Sequence, residues 1–447
     1  MEVELISTEI IKPSTPTPPH LRIYPLSFID NMMYRNYIPV ALFYHPNESD
    51  KQSIISNLKN SLSEVLTRYY PFAGRLRDQL SIECNDEGVP FRVTEIKGEQ
   101  STILQNPNET LLRLLFPDKL PWKVTEYDES IAAVQINFFS CGGLAITACV
   151  CHKMGDATTT LNFVNDWAAM TKEKGEALTQ LSLPLLNGGV SVFPHKDMPC
   201  FPEIVFGKGN KSNAVCRRFV FPPSKINSLK EMVTSHGVQN PTRVEVITAW
   251  IYMRAVHALG LTFDKTSFRQ VVSLRRRMTP PLPNKSVGNM FWFLYMCTPG
   301  ADKDEEIELH DLVAKTKANF ADFCEVYPKK FGGEDKDVAF ISKCMNQGPS
   351  PLNKPRGYDE IKDVHNLFIY TSWCGFPLYN ADFGWGKPLW ATTCGWFVSN
   401  GMLLTDTRDG RGVEVIVNME EEDIVRFERD VELLQYATLN PSREITY

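Results

Sequence analysis

The chain has 447 residues, of which 43% are hydrophobic and 22% are charged. These fractions are typical of globular proteins and exclude a disordered or fibrous chain, while the length exceeds the usual size of one core, so we expect two domains. Because the net charge is −6, the chain has no general attraction to nucleic acid or to an anionic membrane, and we expect neither as a partner.

The lack of a recognisable targeting signal and the pattern of cysteines predict a soluble, cytoplasmic protein. The first six residues are acidic and lack the basic segment and apolar core of a secretory signal. No stretch reaches the apolar length that a membrane span needs. The eleven cysteines are scattered without a Cys-x-x-Cys pair, which favours reduced thiols over a disulfide framework.

The first predicted elements are a helix and a hairpin. Residues 53–70 place apolar side chains at helical spacing, which predicts a helix that faces the core. Residues 132–139 alternate with a period of two, and residues 140–143 signal a turn into an apolar, β-branched run. His152 is therefore expected at the end of the second strand of this hairpin.

His152 is the first candidate for chemistry. It lies between the predicted strand and an amphipathic segment that begins at Ala157, so its side chain can face a cavity while regular structure holds the backbone. A neutral imidazole can take a proton from an alcohol or amine that attacks a carbonyl, which predicts a general base. The competing interpretation of the spacing His152-x-x-x-Asp156 is a buried histidine satisfied by hydrogen bonds.

Residues 176–215 are rich in proline and glycine and show little periodicity, which predicts a crossover between an N-terminal domain of residues 1–175 and a C-terminal domain of residues 216–447. Within the crossover, residues 207–212 lack the pattern of a nucleotide-binding loop. An edge-like strand at 215–221 opens the second domain. The later segments alternate helices and short strands, which predicts a mixed α/β fold.

A second motif lies more than 200 residues downstream, in Asp382-Phe383-Gly384-Trp385-Gly386. Its two glycines can bring the backbone to a place where a side chain would clash, and its tryptophan supplies a flat apolar face with one N–H donor. Taken alone, the pentapeptide also fits a tight turn with a packed tryptophan.

Together and in this order, the two motifs resemble the plant BAHD acyltransferases, which transfer acyl groups from coenzyme A thioesters to alcohols or amines. The resemblance covers nearly the whole chain. Further matches lie at residues 26–30, 70–75, 273–278 and 288–289, although Ser273 stands where the family commonly has asparagine. Within the family, residues 84–91 and 372–374 most resemble the alkaloid acetyltransferases of the vinorine synthase type.

The resemblance implies a two-domain α/β coenzyme A-dependent acyltransferase fold, in which each domain is a mixed β-sheet flanked by helices and an active-site tunnel lies at the interface. It implies that His152 is the general base and that Trp385 lies near the oxyanion. Asp156 is expected to turn away from the cavity and pair with Arg275. Asp382, Gly384 and Gly386 are expected to be structural, with the glycines shaping the channel indirectly.

No permanently bound cofactor is expected, because acetyl-CoA or another acyl-CoA acts as a co-substrate in the family. Ser372, Arg276 and Arg277 are candidates for binding the coenzyme, with solvated charges as the competing interpretation of the arginines. No metal is expected, since His152 and Asp156 lack a recognisable third ligand.

The expected function is acetyl transfer from acetyl-CoA to a hydroxyl of a plant specialised metabolite, such as a monoterpenoid indole alkaloid. The protein is expected to be a monomer whose partners are the small-molecule acceptor alcohol and the acyl-CoA. Because no Gly-x-Ser-x-Gly elbow is present, we expect direct transfer in a ternary complex. The alternatives are acyl transfer to a terpenoid or phenolic alcohol or amine from another acyl-CoA, thioester hydrolysis, and a non-catalytic homologue that binds small molecules. Retention of His152 weighs against the last.

Overall fold

The computed structural model describes residues 1–46, 50–122, 126–173, 182–194, 214–263, 266–297, 307–331, 337, 339–341, 366–394 and 399–442. Most of the predicted crossover at 176–215, including the loop at 207–212, lies outside the described residues. The boundary between the two domains therefore stays a prediction.

The first large β-sheet comes mainly from the N-terminal half of the chain. All neighbouring strands in it are antiparallel except one parallel pair at residues 89–97 and 132–139. In sheet order its strands are β1 (Glu2–Ile11), β6 (Val89–Lys97), β7 (Ala132–Phe139), β8 (Leu144–Cys151), β3 (Tyr37–Tyr44) and β13 (Trp390–Thr392). A small separate sheet holds β2 (Ile23–Pro25), β5 (Ser81–Glu83) and β4 (Arg75–Leu76).

Two long helices of the N-terminal half pack against each other beside this sheet. The indole of Trp167 donates to the carbonyl of Leu58 at 3.1 Å, and both residues are fully buried. The helices of this half are α1 (Phe28–Met32), α2 (Lys51–Arg68), α3 (Gln100–Gln105), α4 (Glu109–Leu112), α5 (Ala157–Lys172) and α6 (Gly188–Val192). Short 3-10 helices lie at Pro19–Leu21, Tyr70–Ala73, Arg113–Leu115 and Pro117–Trp122.

The second large sheet comes from the C-terminal half. In sheet order its strands are β11 (Phe291–Cys297), β10 (Thr266–Ser273), β12 (Asn366–Ser372), β14 (Gly401–Asp406), β15 (Val413–Glu420), β9 (Ala214–Phe221) and β16 (Thr438–Leu439). Strands β10, β12 and β14 run parallel to one another. The helices are α7 (Pro223–Ser235), α8 (Arg243–Ala258), α9 (Leu309–Phe331), α10 (Glu421–Phe427) and α11 (Val431–Tyr436).

The local predictions for the first helix and strand hold, and the predicted fold class is confirmed as mixed α/β with two sheet-rich units. The helix expected at 53–70 is α2 at Lys51–Arg68, where Asp50 accepts from the Ser53 N–H and caps the N-terminus. The predicted strand at 132–139 is β7. The edge position expected for 215–221 is wrong, because β9 pairs with β15 on one side and with the two-residue β16 on the other.

One strand of the C-terminal half returns to the first sheet. Strand β13 pairs with β3, and its first residue, Trp390, stacks on Phe43 with ring centroids 5.2 Å apart. Trp390 is only 1% exposed. This pairing anchors the segment of residues 382–386 to the N-terminal sheet.

Candidate active site

The backbone of His152 is held on both sides. The residue follows β8 directly, and its N–H donates to the Asn36 carbonyl at 2.7 Å, just before β3 begins. Its own carbonyl accepts from the Asn289 side-chain amide at 2.7 Å. The strand-to-helix position predicted from the sequence is therefore the observed one, and the two bonds fix the peptide group that carries the imidazole.

The imidazole of His152 lies edge-on to Phe291, with ring centroids 6.2 Å apart. The residue is half-buried, while its Nδ1 atom is fully buried and has no hydrogen-bond partner among the described residues. Burial lowers the pKa of His152, and its own carbonyl, the charge of Asp156 and the amide of Asn289 oppose that shift without reversing it. This environment favours the neutral ring, which is the form that accepts a proton.

Asp156 is turned away from the imidazole, as the resemblance implies. Its carboxylate accepts from Arg275 at 2.6 and 2.9 Å and from the main-chain N–H groups of Thr159 and Met290 at 3.0 and 3.1 Å. Burial acts to raise the pKa of Asp156, but the charge and bonds of Arg275 together with the N–H bonds of Thr159 and Met290 outweigh it, and the pKa is lowered. The carboxylate therefore caps α5 and binds an arginine, and no hydrogen bond joins it to His152.

Arg275 fastens the turn after β10 to the start of α5. Besides Asp156, its guanidinium donates to the carbonyls of Ser286 and Gly288 at 3.1 and 3.0 Å, and the side chain is 3% exposed. A bidentate arginine pair of this kind fixes orientation as well as distance. The ion pair thus connects the segment that carries His152 to the second half of the chain.

Asp30 and Asn289 are site residues to which the sequence analysis gave no role, although both lie within segments that carry the family resemblance. Asp30 belongs to a capping box with Ser27 at the start of α1. Its Oδ1 accepts from the main-chain and side-chain N–H groups of Asn289 at 2.7 and 2.8 Å. Burial raises the pKa of Asp30 to about 6, against the opposing effect of its hydrogen bonds to Ser27 and Asn289.

Lys153 docks the segment after His152 on α1. The side chain is completely buried, and its Nζ donates to the Asn31 carbonyl at 2.8 Å. Because a buried ammonium must be paired with an acceptor, this contact ties the segment to the N-terminal helix.

A small apolar cluster bridges the two sheets next to this segment. It consists of Ile38 on β3, Ala157 at the start of α5, Trp373 after β12 and Leu403 on β14. Ile38 lies two residues after Asn36, and Ala157 follows Asp156, so the cluster adjoins the segment that carries His152. Trp373 appeared in the sequence analysis only as part of the 372–374 match, which was the one signal for its position.

The expected position of Trp385 near the oxyanion is wrong. Trp385 lies edge-on to Tyr44 with ring centroids 6.0 Å apart, whereas Cys151, next to His152, pairs with Tyr37 at the other end of β3. Seven residue steps of a strand separate these ends by roughly 23 Å. Residue 384 likewise lies beside Lys172, at the far end of the 16-residue helix α5 from Asp156.

Asp382 organises a turn at that remote position. Its carboxylate accepts from the Gly384 and Gly386 N–H groups, both at 2.9 Å, and from Lys172 at 2.7 Å. The glycines have φ angles of +107° and +99°, and a Cβ would meet no close neighbour at either position. They are required for their backbone conformation and not for the close approach expected from the sequence.

The three residues proposed to bind the coenzyme lie at the carboxyl ends of β10 and β12, two parallel strands inside the second sheet. Ser372 accepts from the Cys374 N–H at 3.2 Å. Arg277 donates to the Ser273 carbonyl at 2.6 Å and lies over the ring of Phe320. Arg276 is exposed.

Within the described ranges, no group of three or more histidine, cysteine, aspartate and glutamate side chains is placed to hold a metal ion. No helix in the same part of the chain is both long and apolar enough to cross a membrane. Eight cysteines in the described ranges form no disulfide, and one of them, Cys151, is completely buried.

Comparisons with known proteins extend over nearly the whole chain. The model of the Transferase family matches residues 1–434. Limonoid 21-O-acetyltransferase of Melia azedarach is 35% identical over 99% of this chain and 100% of its own length. Akuammiline synthase 1 of Alstonia scholaris is 36% identical over 98% of each chain.

Solved structures agree with this match. The crystal structure of vinorine synthase has a TM-score of 0.81 at 31% identity, covering 99% of this chain and 100% of that chain. F. sporotrichioides TRI101 complexed with coenzyme A and T-2 has a TM-score of 0.65 at 17% identity over 93% and 99% of the two chains, so it shares the fold. This chain therefore belongs to the Transferase family, the BAHD acyl-CoA-dependent acyltransferases of specialised metabolism.

Proposed function

We propose that this enzyme transfers an acetyl group from acetyl-CoA to a hydroxyl of an alkaloid, such as a monoterpenoid indole alkaloid, with His152 as the general base. The observation that carries the proposal is the environment of His152. Its backbone is fixed by Asn36 and Asn289, burial lowers its pKa, and Asp156 is occupied by Arg275. The imidazole is therefore held in place and favoured in its neutral form, and the neighbouring carboxylate is bound to an arginine instead of to the ring.

In the proposed reaction, neutral His152 takes the proton of the acceptor hydroxyl while the oxygen forms a bond to the thioester carbonyl carbon. The carbon–sulfur bond then breaks, and the imidazolium returns the proton to the departing thiolate. Acid–base assistance of this kind contributes about 10²–10⁴-fold. The remaining acceleration comes from holding both substrates in contact and from donors aimed at the developing oxyanion.

The burial of the thiols near His152 supports direct transfer without a covalent intermediate on cysteine. Cys151 adjoins His152, but its side chain is completely buried in the first core. Burial also raises the pKa of Cys149 far above its usual range, so that thiol is protonated at neutral pH. A covalent acyl-enzyme on either sulfur is therefore disfavoured.

The coenzyme is proposed to bind near Ser372, Arg276 and Arg277. Support comes from their common position at the carboxyl ends of β10 and β12, where ligands of parallel sheets commonly bind. Arg277 already holds the Ser273 carbonyl, so Arg276 is the more available of the two cations for a phosphate.

Relatives favour two classes of acceptor. Akuammiline synthase 1 and diaboline synthase, at 36% and 32% identity, support an alkaloid. Limonoid 21-O-acetyltransferases at 35% and 36% identity support a terpenoid alcohol as the second candidate. A panel of alkaloid and limonoid alcohols with acetyl-CoA, malonyl-CoA and benzoyl-CoA, followed by mass spectrometry of the products, separates these possibilities.

The base is tested with His152→Ala. We expect a correctly folded variant whose kcat falls by roughly 10²–10⁴-fold, and added imidazole should restore part of the turnover. His257→Ala, in which a histidine of α8 is removed, is the matched control and should retain activity. A folded His152→Ala variant with wild-type turnover would refute the proposal.

We also propose that the enzyme is a cytoplasmic monomer. Light scattering tests the monomeric state, and microscopy of a fluorescent fusion tests the cytoplasmic location.

A further inference from the structure

Asn289 connects two segments that lie far apart in the sequence. Its main-chain N–H and its side-chain amide donate to Oδ1 of Asp30 at 2.7 and 2.8 Å. The same amide nitrogen donates to the carbonyl of His152 at 2.7 Å. Asn289 is 0% exposed and Asp30 is 1% exposed. These bonds hold Asn289 firmly against the residue that carries the imidazole.

The two side-chain bonds decide which way the amide of Asn289 points. Both partners, the Asp30 carboxylate and the His152 carbonyl, present oxygens that accept hydrogen bonds, so the NH₂ group must face them. The opposite orientation would place the amide oxygen against two other oxygens. Oδ1 of Asn289 is left as an acceptor, and it is buried without a hydrogen-bond partner among the residues that the structure describes.

The imidazole of His152 carries the matching donor. Its Nδ1 is also buried and, in the same described part of the chain, meets no partner with hydrogen-bond geometry. Rotation about the terminal torsion of a histidine side chain is soft, so a modest turn of the ring has a low energetic cost. The groups that act on the ring through hydrogen bonds are its own carbonyl and the Asn289 side chain. That carbonyl already accepts from the Asn289 amide, so a turn that brings Nδ1–H to Oδ1 of Asn289 is the one that satisfies two buried polar atoms at once.

We propose that Asn289 is a positioning residue that keeps the proton of neutral His152 on Nδ1 and so leaves the lone pair of Nε2 for the acceptor hydroxyl. This inference deepens the proposed function and rests on it. Nε2 takes the hydroxyl proton as the oxygen–carbon bond forms, and it returns that proton to sulfur when the carbon–sulfur bond breaks. Without the amide oxygen, the tautomer with its proton on Nε2 competes, and that form cannot accept the proton there.

The tautomer can be measured directly by nitrogen-15 NMR of protein labelled at histidine. The signals of His152 are identified by their loss in His152→Ala. At a pH where the ring is neutral, we expect a protonated Nδ1 and an unprotonated Nε2 in the wild-type enzyme. A dominant tautomer with the proton on Nε2 would overturn the inference, and this result requires no variant of Asn289.

Asn289→Ala removes the proposed acceptor. We expect a mixture of tautomers and a kcat lowered by roughly tenfold to a hundredfold, within the range of acid–base catalysis. Because Asn289 acts through the imidazole and not on the coenzyme, KM for acetyl-CoA should change by less than about threefold. Retention of both the wild-type kcat and the Nδ1–H tautomer would contradict the inference.

Ser27→Ala is the matched control for loosening of the structure. It removes the hydroxyl that accepts from the Asp30 N–H at 3.1 Å, but it leaves the bonds between Asn289 and His152 in place. We expect an unchanged tautomer and a near wild-type kcat. The same tautomer change in Ser27→Ala would indicate general loosening and refute a specific role for Asn289. Wild-type turnover in His152→Ala would instead refute the base assignment, while NMR would still report the tautomer.

Discussion

At the residue scale, His152 and Asp156 have separate tasks. Both oxygens of Asp156 are occupied by Arg275 and by main-chain N–H groups, so the aspartate holds a junction and not the ring. Asp156→Ala should lower the free energy of unfolding by about 3–5 kcal/mol, because a buried guanidinium loses its counter-charge. Denaturant unfolding measures the loss.

Asp382→Ala is the comparison variant for Asp156→Ala. Its partner Lys172 is 46% exposed, and the loss should be about 1–2 kcal/mol, since exposed ion pairs and turn caps contribute little. Unchanged unfolding of Asp156→Ala together with lost turnover would show instead that the aspartate acts on the imidazole.

The lowered pKa of His152 sets the direction of the pH dependence. A base must be neutral, so kcat/KM should be constant at neutral pH and fall as the pH drops through the pKa of the ring. Asp156 and Asn289 raise the pKa of His152, but burial outweighs them, so the midpoint should lie below the usual value of about 6.5. A pH–rate profile of the free enzyme with its midpoint above that value would indicate that the carboxylate dominates.

Trp385 should contribute to packing and not to turnover. Its Nε1 has no hydrogen-bond partner among the described residues, and its ring stacks on Phe383 at 5.6 Å and lies beside Tyr44, at the end of β3 remote from His152. Trp385→Phe should leave kcat within about twofold of wild type and cost less than about 1.5 kcal/mol of stability. Steady-state kinetics and thermal unfolding measure both quantities. A large fall in kcat without a change in KM would restore a role near the oxyanion.

At the scale of elements, sequence patterns predicted the helices and strands whose formation depends on residues close together in the chain. The spacing of apolar residues placed α2 within two residues, and the alternation at 132–139 gave β7. The position of Trp385 depends on the pairing of β13 with β3, which joins residues more than 340 positions apart, and local spacing carries no record of it. The bond from Asn289 to His152 spans 137 positions and was missed for the same reason.

At the scale of the whole molecule, a buried ion pair links the two sheets. Arg218 donates to Glu414 at 3.0 Å within the second sheet, and both side chains are at most 6% exposed. The indole of Trp390, in the first sheet, donates to Glu414 at 3.4 Å. Glu414→Ala should lower the free energy of unfolding by about 3–5 kcal/mol, because Arg218 stays buried without its partner.

Glu428→Ala is the control for Glu414→Ala. It removes the partner of the neighbouring Arg217, whose side chain is 33% exposed, and should cost about 0–1 kcal/mol. Equal losses in the two variants, measured by denaturant unfolding, would contradict a special contribution of the buried pair to holding the sheets together.

In the proposed reaction of the whole enzyme, the acyl group passes directly from sulfur to the acceptor while both substrates are bound at His152. Initial rates measured against acetyl-CoA concentration at several fixed acceptor concentrations test it most directly. A ternary complex predicts double-reciprocal lines that intersect. Parallel lines would rule out direct transfer, because they report a covalent acyl-enzyme that forms before the acceptor binds.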